Sequence, residues 1–311
     1  MNDPVLTAMR DAIQVDPGGR GLAKDPHDNL FTECAGDFES ACRSIADEPH
    51  PSLAIVTGFY IPQAGGETDG PLGTLFLLRA LVPAGVRCFV FTDVHSKKAL
   101  DAGFSACGLS AKDCLRTLPP VAHPWWAWLA CDWKDFKTGF QPTHLLAIER
   151  VGPSRSNGRC LNMRAVDVTD LNNPAHHLFD DAAVSDPPVR TIGIGDGGNE
   201  IGMGKIPWHV IRRNIPNGEA IACRVPTSQL IVAGVSNWGA YALAAGVRYL
   251  RGVQHDAALF DPARERELLE LMVSQGGLVD GPSGKRQATV DGLSFDEYAK
   301  PLVRLNEILR G

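Results

Sequence analysis

The sequence predicts an α/β fold in which a layered, mostly parallel and Rossmann-like sheet is flanked by helices. Short apolar runs rich in Val, Ile and Leu alternate with helical patterns along the 311 residues, which is typical of strands joined by crossover helices. Each run is continuously apolar, and this indicates burial on both faces of a parallel sheet. Polar residues follow the runs directly, at the carboxyl ends of strands where such sheets bind ligands.

The predicted elements follow one another in a regular order. Strands are expected at residues 53–58, 86–93, 144–150, 189–196 and 229–237. The helix between the first two strands begins at Pro71, because proline suits the first helical turn, and ends at the Pro-Ala-Gly sequence of residues 83–85. Further helices are expected near the N terminus and at residues 97–103, 238–251, 262–275 and 295–309.

The chain is expected to form a single domain over residues 1–311, since no clear linker divides it. Residues 1–50 are expected to be a mostly helical N-terminal segment. Residues 119–142 contain four tryptophans and interrupt the alternation, so they are expected to be an insertion or a cap. Tryptophans this close together fill a core or an interface more often than they bind a ligand.

Composition restricts the partners of the protein. A net charge of -6 and a sequence pI near 5.8 provide no basic field for nucleic acid. The most apolar long segment, residues 230–250, is interrupted by Ser236, Asn237 and Gly239, and it predicts a strand and a helix rather than a membrane span. The N terminus has no basic and apolar signal segment. We therefore expect a cytoplasmic protein, and the sequence leaves open whether it is a homo-oligomer.

The run GIGDGGNEIGMG, at residues 193–204, is the strongest indication of a ligand site. Its six glycines let the backbone adopt positive φ angles and approach a ligand closely. Asp196, Asn199 and Glu200 stand among these glycines, directly after a predicted strand. The backbone positions expected to contact the ligand are Gly197 and Gly198.

The loop after the first strand, GGETDG at residues 65–70, contains Glu67 and Asp69. Two carboxylates in a short glycine loop repel each other unless a cation, an ammonium group or a proton lies between them, so a functional role is favoured for both. Simple structural roles, such as helix capping or a surface ion pair, are alternatives for several residues at the other strand ends. The candidate substrate-binding residues at those ends are Asp93, His95, Glu149, Arg150, Ser236 and Asn237.

Several common site templates are absent from the sequence. The glycine run lacks the full dinucleotide fingerprint, in which G-x-G-x-x-G is followed by a helix and by an acidic residue about 20 positions on, and no G-x-x-x-x-G-K-[ST] motif occurs. Carboxylates in the run would also repel a pyrophosphate, so neither a nicotinamide nor a flavin cofactor is expected. No G-x-S-x-G, H-E-x-x-H or C-x-x-C motif occurs, which argues against the common hydrolase and zinc-protease templates.

A family resemblance is carried by six blocks, TGFYIP (57–62), GGETDGPLG (65–73), TDVH (92–95), IERVG (148–152), GIGDGGNEIGMG (193–204) and VPTSQLIVAGVSNWGAYAL (225–243). Together these blocks resemble the D-glutamate cyclase domain, which forms the C-terminal half of larger mitochondrial enzymes. The resemblance implies an enzyme, a hydro-lyase that converts D-glutamate to 5-oxo-D-proline with loss of water. The chain resembles a stand-alone form of that domain, and its expected partner is a small amino-acid substrate.

Cyclising glutamate requires a base for the α-amine and an acid for the departing hydroxyl. Carboxylates with raised pKa values suit both tasks, and the candidate catalytic residues are Asp196, Glu200, Asn199, Glu67 and Asp69. Oxygen donors also suit a Mg²⁺ or Mn²⁺ ion, for which the candidate ligands are Glu67, Asp69, Asp196 and Glu200. The sequence leaves open whether a metal is required, which carboxylate is the acid, and whether D- or L-glutamate is preferred.

Two other functions fit the same residues. A Mg²⁺- or Mn²⁺-dependent phosphohydrolase would use the acidic residues to hold ions that bind a phosphate. A non-catalytic binder of small anionic metabolites would use Arg20 or Arg150 as its anchor. Both alternatives remain open at the level of the sequence.

Overall fold

A six-stranded parallel sheet forms the centre of the computed structural model, which describes residues 3–311. The strands are β1 (Ser52–Thr57), β2 (Tyr60–Ile61), β3 (Gly65–Gly66), β4 (Arg87–Thr92), β5 (Leu115–Thr117), β6 (His144–Ile148), β7 (Arg190–Gly195) and β8 (Gln229–Val232). The sheet has the order β5-β4-β1-β6-β7-β8, while β2 and β3 form a separate hairpin. The predicted α/β class with a mostly parallel sheet is confirmed.

All five predicted strands are present, and the polar residues at their carboxyl ends lie beyond the sheet, either in the following loops or, for His95, Ser236 and Asn237, in the first turn of the following helix. The prediction is furthest from the structure for 229–237, because β8 ends at Val232 and a helix already begins at Ser236. The edge strand β5 is missing from the prediction. Its three residues include a single buried side chain and so form no apolar run.

The helices of the described chain are α1 (Pro4–Ile13), α2 (Leu30–Glu33), α3 (Asp37–Ala46), α4 (Pro71–Leu81), α5 (Val94–Ala106), α6 (Ala111–Cys114), α7 (Trp125–Trp128), α8 (Lys134–Phe140), α9 (His176–Ala182), α10 (Trp208–Asn214), α11 (Gly218–Ile221), α12 (Ser236–Leu250), α13 (Pro262–Ser274), α14 (Phe295–Tyr298) and α15 (Lys300–Arg310). Within residues 3–311, none has both the length and the apolar character needed to cross a bilayer.

Two helical predictions differ from the structure. The helix expected at 295–309 is divided into α14 and α15, because Pro301 in the first turn of α15 has no N–H with which to continue the hydrogen bonding of α14. The N-terminal segment is only partly helical, since residues 14–29 between α1 and α2 are irregular. This irregular stretch contains a glycine-flanked arginine, Arg20, that reaches the functional site.

The sheet separates two hydrophobic cores, because side chains alternate between its faces along each strand. Ile55 and Ile194 pack in the first core, together with apolar residues of α4, α5 and α12. Val56, the residue after Ile55 in β1, packs in the second core, as does Ala147 of β6. Aromatic residues of the segment between β5 and β6 pack there with them. Both faces of the sheet are therefore covered, as the continuously apolar strands predict.

The tryptophan-rich segment connects β5 to β6 and covers the second core. The ring of Trp133 meets that of Phe91 edge to face at a centroid distance of 5.8 Å, and Phe136 lies 4.8 Å from Phe89. Trp133 is 1% exposed, whereas Trp126 is 76% exposed. The segment thus supplies a helical layer on one face of the sheet, and part of its aromatic surface fills the core.

The chain changes direction between the central strands β1 and β6. From β1 it proceeds outward through β4 to β5, and it then returns to β6, on the other side of β1, and proceeds to β8. Such a reversal leaves a crevice at the carboxyl ends of the two central strands. The loops after β1 and β6 begin at this crevice, and they carry Glu67, Asp69 and Glu149.

Helices α4 and α12 cross in close contact near this crevice. Gly73 of α4 lies against Asn237 of α12, and a Cβ atom built on Gly73 would lie only 2.7 Å from the Asn237 Cα atom. Hydrogen in place of a side chain lets the two backbones approach this closely. The contact brings the N termini of both helices to the same edge of the sheet.

We expect Gly73→Ala to lower the free energy of unfolding by about 1–3 kcal/mol, because the added methyl group overpacks a contact between two backbones. Gly139→Ala is the matched control, since Gly139 also lies in a helix and no atom lies within 4 Å of its Cβ position. The control should be neutral or stabilising by up to about 1 kcal/mol, because alanine favours the helix. Urea unfolding measures both variants, and equal effects would contradict the close contact.

Candidate functional site

Five carboxylate side chains come together at the carboxyl edge of the sheet. They belong to the loops after β1, β6 and β7 and to a loop that precedes α14, and all five are buried. The residues are Glu67, Asp69, Glu149, Asp196 and Asp291. Carboxylate oxygens of Asp69, Glu149 and Asp196 all lie within 4.8 Å of one another. We refer to these five residues as the carboxylate cluster.

Asp69 and Asn237 cap two helices reciprocally. Asp69, which precedes α4, caps α12, and Asn237, in the first turn of α12, caps α4. The Asp69 carboxylate accepts the backbone N–H groups of Ser236 and Asn237, at 2.9 and 2.8 Å, at the N terminus of α12. The Asn237 side-chain oxygen accepts the N–H groups of Gly70 and Gly73, at 2.8 and 2.7 Å, at the N terminus of α4. This reciprocal capping satisfies backbone donors that a helix end leaves unpaired, and it fixes Asp69 in place.

Glu149 is held in an unusual backbone conformation directly after β6. Its φ angle is +45°, in the left-handed region that non-glycine residues adopt rarely. Its backbone N–H donates to the carbonyl of Ile194 at 3.1 Å, and its side chain accepts the hydroxyl of Ser236 at 2.6 Å. Conformations of this kind persist where the surrounding structure enforces them, often at functional sites. Here the result is a carboxylate placed in the crevice.

The glycine run folds around the side chain of Glu200. Its two carboxylate oxygens accept the backbone N–H groups of Asp196, at 3.2 Å, and of Gly198, at 2.7 Å. A Cβ atom on Gly197 would lie 2.8 Å from a Glu200 oxygen, so a larger residue there would displace the Glu200 carboxylate. Asn199 donates to the carbonyl of Leu161 at 2.9 Å. Glu200 therefore shapes the loop that presents Asp196 to the cluster.

Arg20 brings a positive charge to the carboxylate cluster. Its guanidinium group forms ion pairs with both Asp196 and Asp291. The loop that carries Arg20 is fixed by the Asp16 carboxylate, which accepts the N–H groups of Arg20 and Gly21 at 2.9 and 2.8 Å. The N-terminal segment of the chain therefore completes a site that is otherwise built from strand ends.

Several buried oxygens of the site lack a hydrogen-bond donor among the described residues. Both carboxylate oxygens of Asp196 are in this state, although one of them lies against the Arg20 guanidinium. The remaining oxygens of this kind are Glu67 Oε1, Asn199 Oδ1 and Asp291 Oδ2. Buried acceptors without donors cost free energy. The site is therefore suited to a ligand that brings N–H donors or positive charge.

The pKa values of the cluster are raised. Burial raises the pKa of Glu67 and of Glu149 well above the usual range, and neighbouring carboxylates, Asp291 and Glu200 respectively, raise it further. Burial also raises the pKa of Asp196 well above its usual range, although the Arg20 guanidinium opposes the shift. The pKa of Asp69 rises to about 7 through burial and the nearby Asp291. Several of these groups consequently retain protons near neutral pH.

The structure separates three predicted residues from the cluster. Arg150 is fully buried and forms a bidentate pair with Asp93, at 2.7 and 2.9 Å, rather than with any cluster carboxylate. It also donates to the carbonyls of Gly58 and Asn173. His95 is exposed, and its ring lies 4.1 Å from that of Tyr60. Asp93 and Arg150 thus tie together the loops beside the site.

Sequence reasoning missed Asp291 entirely and assigned Arg20 only to an alternative function. Asp291 follows no apolar run, so strand-end reasoning has no means of finding it. The one local indication in the sequence is that Asp291 precedes Gly292. In the structure both residues have left-handed backbone conformations, with a φ angle of +56° at Asp291. Arg20 lies between glycines in DPGGRGL, but nothing in that spacing shows which residues it contacts.

The fold and the site define the class of this protein, an α/β protein with a buried carboxylate cluster at the carboxyl ends of parallel strands. The model of the family described as "D-glutamate cyclase-like, C-terminal" matches residues 9–306, and the chain belongs to this family. It is 31% identical to the human protein "D-glutamate cyclase, mitochondrial" over 337 aligned positions. The match covers 97% of the chain and 52% of the human protein, so the chain spans about half the length of this relative. The family resemblance is thereby confirmed.

We expect Glu67→Gln to become more stable relative to the wild type as the pH rises above about 4.5. The folded state raises the pKa of Glu67, so the wild type gains stability from this group below its unfolded pKa and loses that stability as the pH increases. Glutamine does not ionise and avoids the loss. The difference in unfolding free energy should grow on the order of 1 kcal/mol between pH 5 and pH 8.

Urea unfolding at several pH values measures this difference. Glu270→Gln is the control, because Glu270 is an exposed glutamate on α13, and its difference from the wild type should stay nearly constant. A flat difference for Glu67→Gln as well would show that Glu67 is ionised without penalty.

Proposed function

We propose that the protein is a D-glutamate cyclase, a hydro-lyase that converts D-glutamate to 5-oxo-D-proline with loss of water. Its membership of the D-glutamate cyclase-like family supports this proposal. The observation that carries it is the buried carboxylate cluster with raised pKa values, since cyclisation needs groups that exchange protons near neutral pH. The reaction changes no oxidation state, and it therefore requires neither a nicotinamide nor a flavin.

Asp196 is our choice for the base. The substrate amine is an ammonium group at neutral pH. It offers N–H donors to the buried Asp196 oxygens, which among the described residues are contacted by the Arg20 guanidinium and accept no regular hydrogen bond. Asp196 acts as the base in its ionised form, which the Arg20 guanidinium favours. Once the ammonium is hydrogen-bonded to this carboxylate, Asp196 can accept a proton and free the nitrogen lone pair for attack. Glu200 is less suited to this step, because its two oxygens already accept backbone N–H groups. Asn199 Oδ1 provides a further acceptor for the amine.

A protonated Glu67 is our choice for the acid. An ionised γ-carboxylate is a poor electrophile, and a neutral carboxylic acid next to it can donate a proton to the departing oxygen. Glu67 Oε1 has no hydrogen-bond partner in the described chain, whereas Glu149 accepts the Ser236 hydroxyl. As the C–N bond forms and the C–O bond breaks, two protons leave the nitrogen and two join the released water. The cluster thus ends in its starting protonation state.

A Mg²⁺ or Mn²⁺ ion is a candidate cofactor of this site. Asp69, Glu149 and Asp196 offer the oxygen donors that these ions favour, within 4.8 Å of one another. The Asp196 oxygens, which among the described residues accept no regular hydrogen bond and already contact the Arg20 guanidinium, fit a cation well. When bound, such an ion would supply Lewis-acid polarisation of the γ-carboxylate.

We expect the purified protein to release 5-oxoproline from D-glutamate and to do so more slowly from L-glutamate. Asp196→Asn should lower kcat by about 100-fold or more, because the amide cannot accept the amine proton. Chiral liquid chromatography with mass spectrometry measures the product. Parallel reactions with Mn²⁺, with Mg²⁺ and with a chelator test the metal, whose removal should lower the rate if the ion takes part.

Asp167→Asn is the matched control, because Asp167 forms an exposed ion pair with Arg159, and its rate should equal that of the wild type. The proposal fails if the folded protein yields no product from either enantiomer. Chelator-sensitive hydrolysis of a phosphoester without any 5-oxoproline would instead favour a phosphohydrolase.

A further inference from the structure

We propose that Arg20 is the residue that recognises the α-carboxylate of the substrate, and that it leaves Asp196 and Asp291 to do so. This inference rests on the proposed function, and it specifies which substrates the site accepts. The ligand must be an amino acid with a second carboxylate, and Arg20 is the group that distinguishes it from a simple ω-amino acid.

Charge balance is the first argument. Glutamate carries two carboxylates, and the cluster it enters contains five more. Among the ion pairs of the described chain, Arg20 supplies the guanidinium that contacts this cluster. The buried Arg150 and the half-buried Arg79 are paired elsewhere, with Asp93 and Glu265. A substrate carboxylate therefore finds its cation in Arg20.

The position of Arg20 is the second argument. Its side chain is 17% exposed, while the side chain of Asp196 is fully buried and that of Asp291 is 6% exposed. Arg20 is thus the most exposed of these three side chains and the one most accessible to a ligand from solvent. The guanidinium fork currently spans two separate carboxylates, and this planar fork also matches the two oxygens of one carboxylate.

The loop geometry is the third argument. The backbone around Arg20 is fixed by Asp16 and by Gly21, whose Cβ position would be only 2.2 Å from the carbonyl oxygen of Asn214. The exchange of partners consequently needs a rotation of the Arg20 side chain and no movement of the loop. The rotation exposes Asp196 to the substrate ammonium, so that Asp196 and Arg20 each gain a new partner of opposite charge.

The chemistry of cyclisation identifies which substrate carboxylate Arg20 binds. The γ-carboxylate must give up its charge to become an amide, and a group that donates a proton suits it. The α-carboxylate keeps its charge throughout the reaction and is bonded to the same carbon as the amine. Since Arg20 adjoins Asp196, our choice for the base of that amine, the guanidinium reaches the α-carboxylate.

Two substrates and three variants test this role. D-Glutamate has an α-carboxylate, whereas 4-aminobutyrate has the same amine and terminal carboxylate without it. Arg20→Ala should raise KM for D-glutamate by about 10- to 100-fold, the range expected for the loss of a charged hydrogen-bonded pair, with a smaller change in kcat. Arg20→Lys should have an intermediate effect, and added guanidinium chloride should partly rescue Arg20→Ala. Arg304→Ala, at an exposed ion pair on α15, should match the wild type.

Thermal unfolding with D-glutamate, glutarate or 4-aminobutyrate provides a readout that does not require turnover. We expect the two dicarboxylates to stabilise the wild type and to lose this effect in Arg20→Ala. Arg20→Lys keeps the positive charge beside Asp196, and it replaces the alanine variant in both assays if that variant does not fold. The proposal is overturned if ligand preference is the same with and without Arg20, or if neither dicarboxylate stabilises the wild type. Arg20-dependent stabilisation without any 5-oxoproline would refute the cyclase activity and leave the recognition role standing.

Discussion

The reciprocal capping of α4 and α12 is the interaction on which the rest of the site depends. Asp69 satisfies the backbone of one helix and Asn237 that of the other, so the loops after β1 and β8 form one rigid unit. The close approach at Gly73 keeps the two helix ends together. Because Asp69 is fixed by backbone donors, the other carboxylates must be accommodated around a charge that cannot move away.

The packing of the other carboxylates around Asp69 explains the raised pKa values and the ion pairs of the site. Buried carboxylates this close together remain ionised only at a large cost in desolvation and repulsion, and the chain reduces the cost by holding protons and by bringing in Arg20. Glu149 additionally accepts a left-handed backbone conformation to reach the crevice. The free site therefore contains buried carboxylates that repel one another. A cationic ligand reduces this repulsion, and the reduction adds to its binding free energy.

The sequence predicts the sheet and most of the cluster for a clear reason. Continuous apolar runs define buried strands, and the residues that follow them, such as Asp196 and Glu149, must lie at one edge of the sheet. What the sequence does not contain is the direction of each side chain. Arg150 and Glu149 are neighbours at the end of the same predicted strand, yet the first pairs with Asp93 and the second joins the cluster. Asp291 is invisible to this reasoning because no strand precedes it.

Arg20 and Asp291 lie near opposite ends of the chain, and their contact closes the site. Residue 291 is therefore needed before Arg20 can form both of its ion pairs. Contacts of such large sequence separation form late in folding, since the cost of closing the loop is met only when the intervening structure is in place. A nascent or truncated chain that lacks residue 291 would contain all six strands of the sheet and only part of the carboxylate cluster.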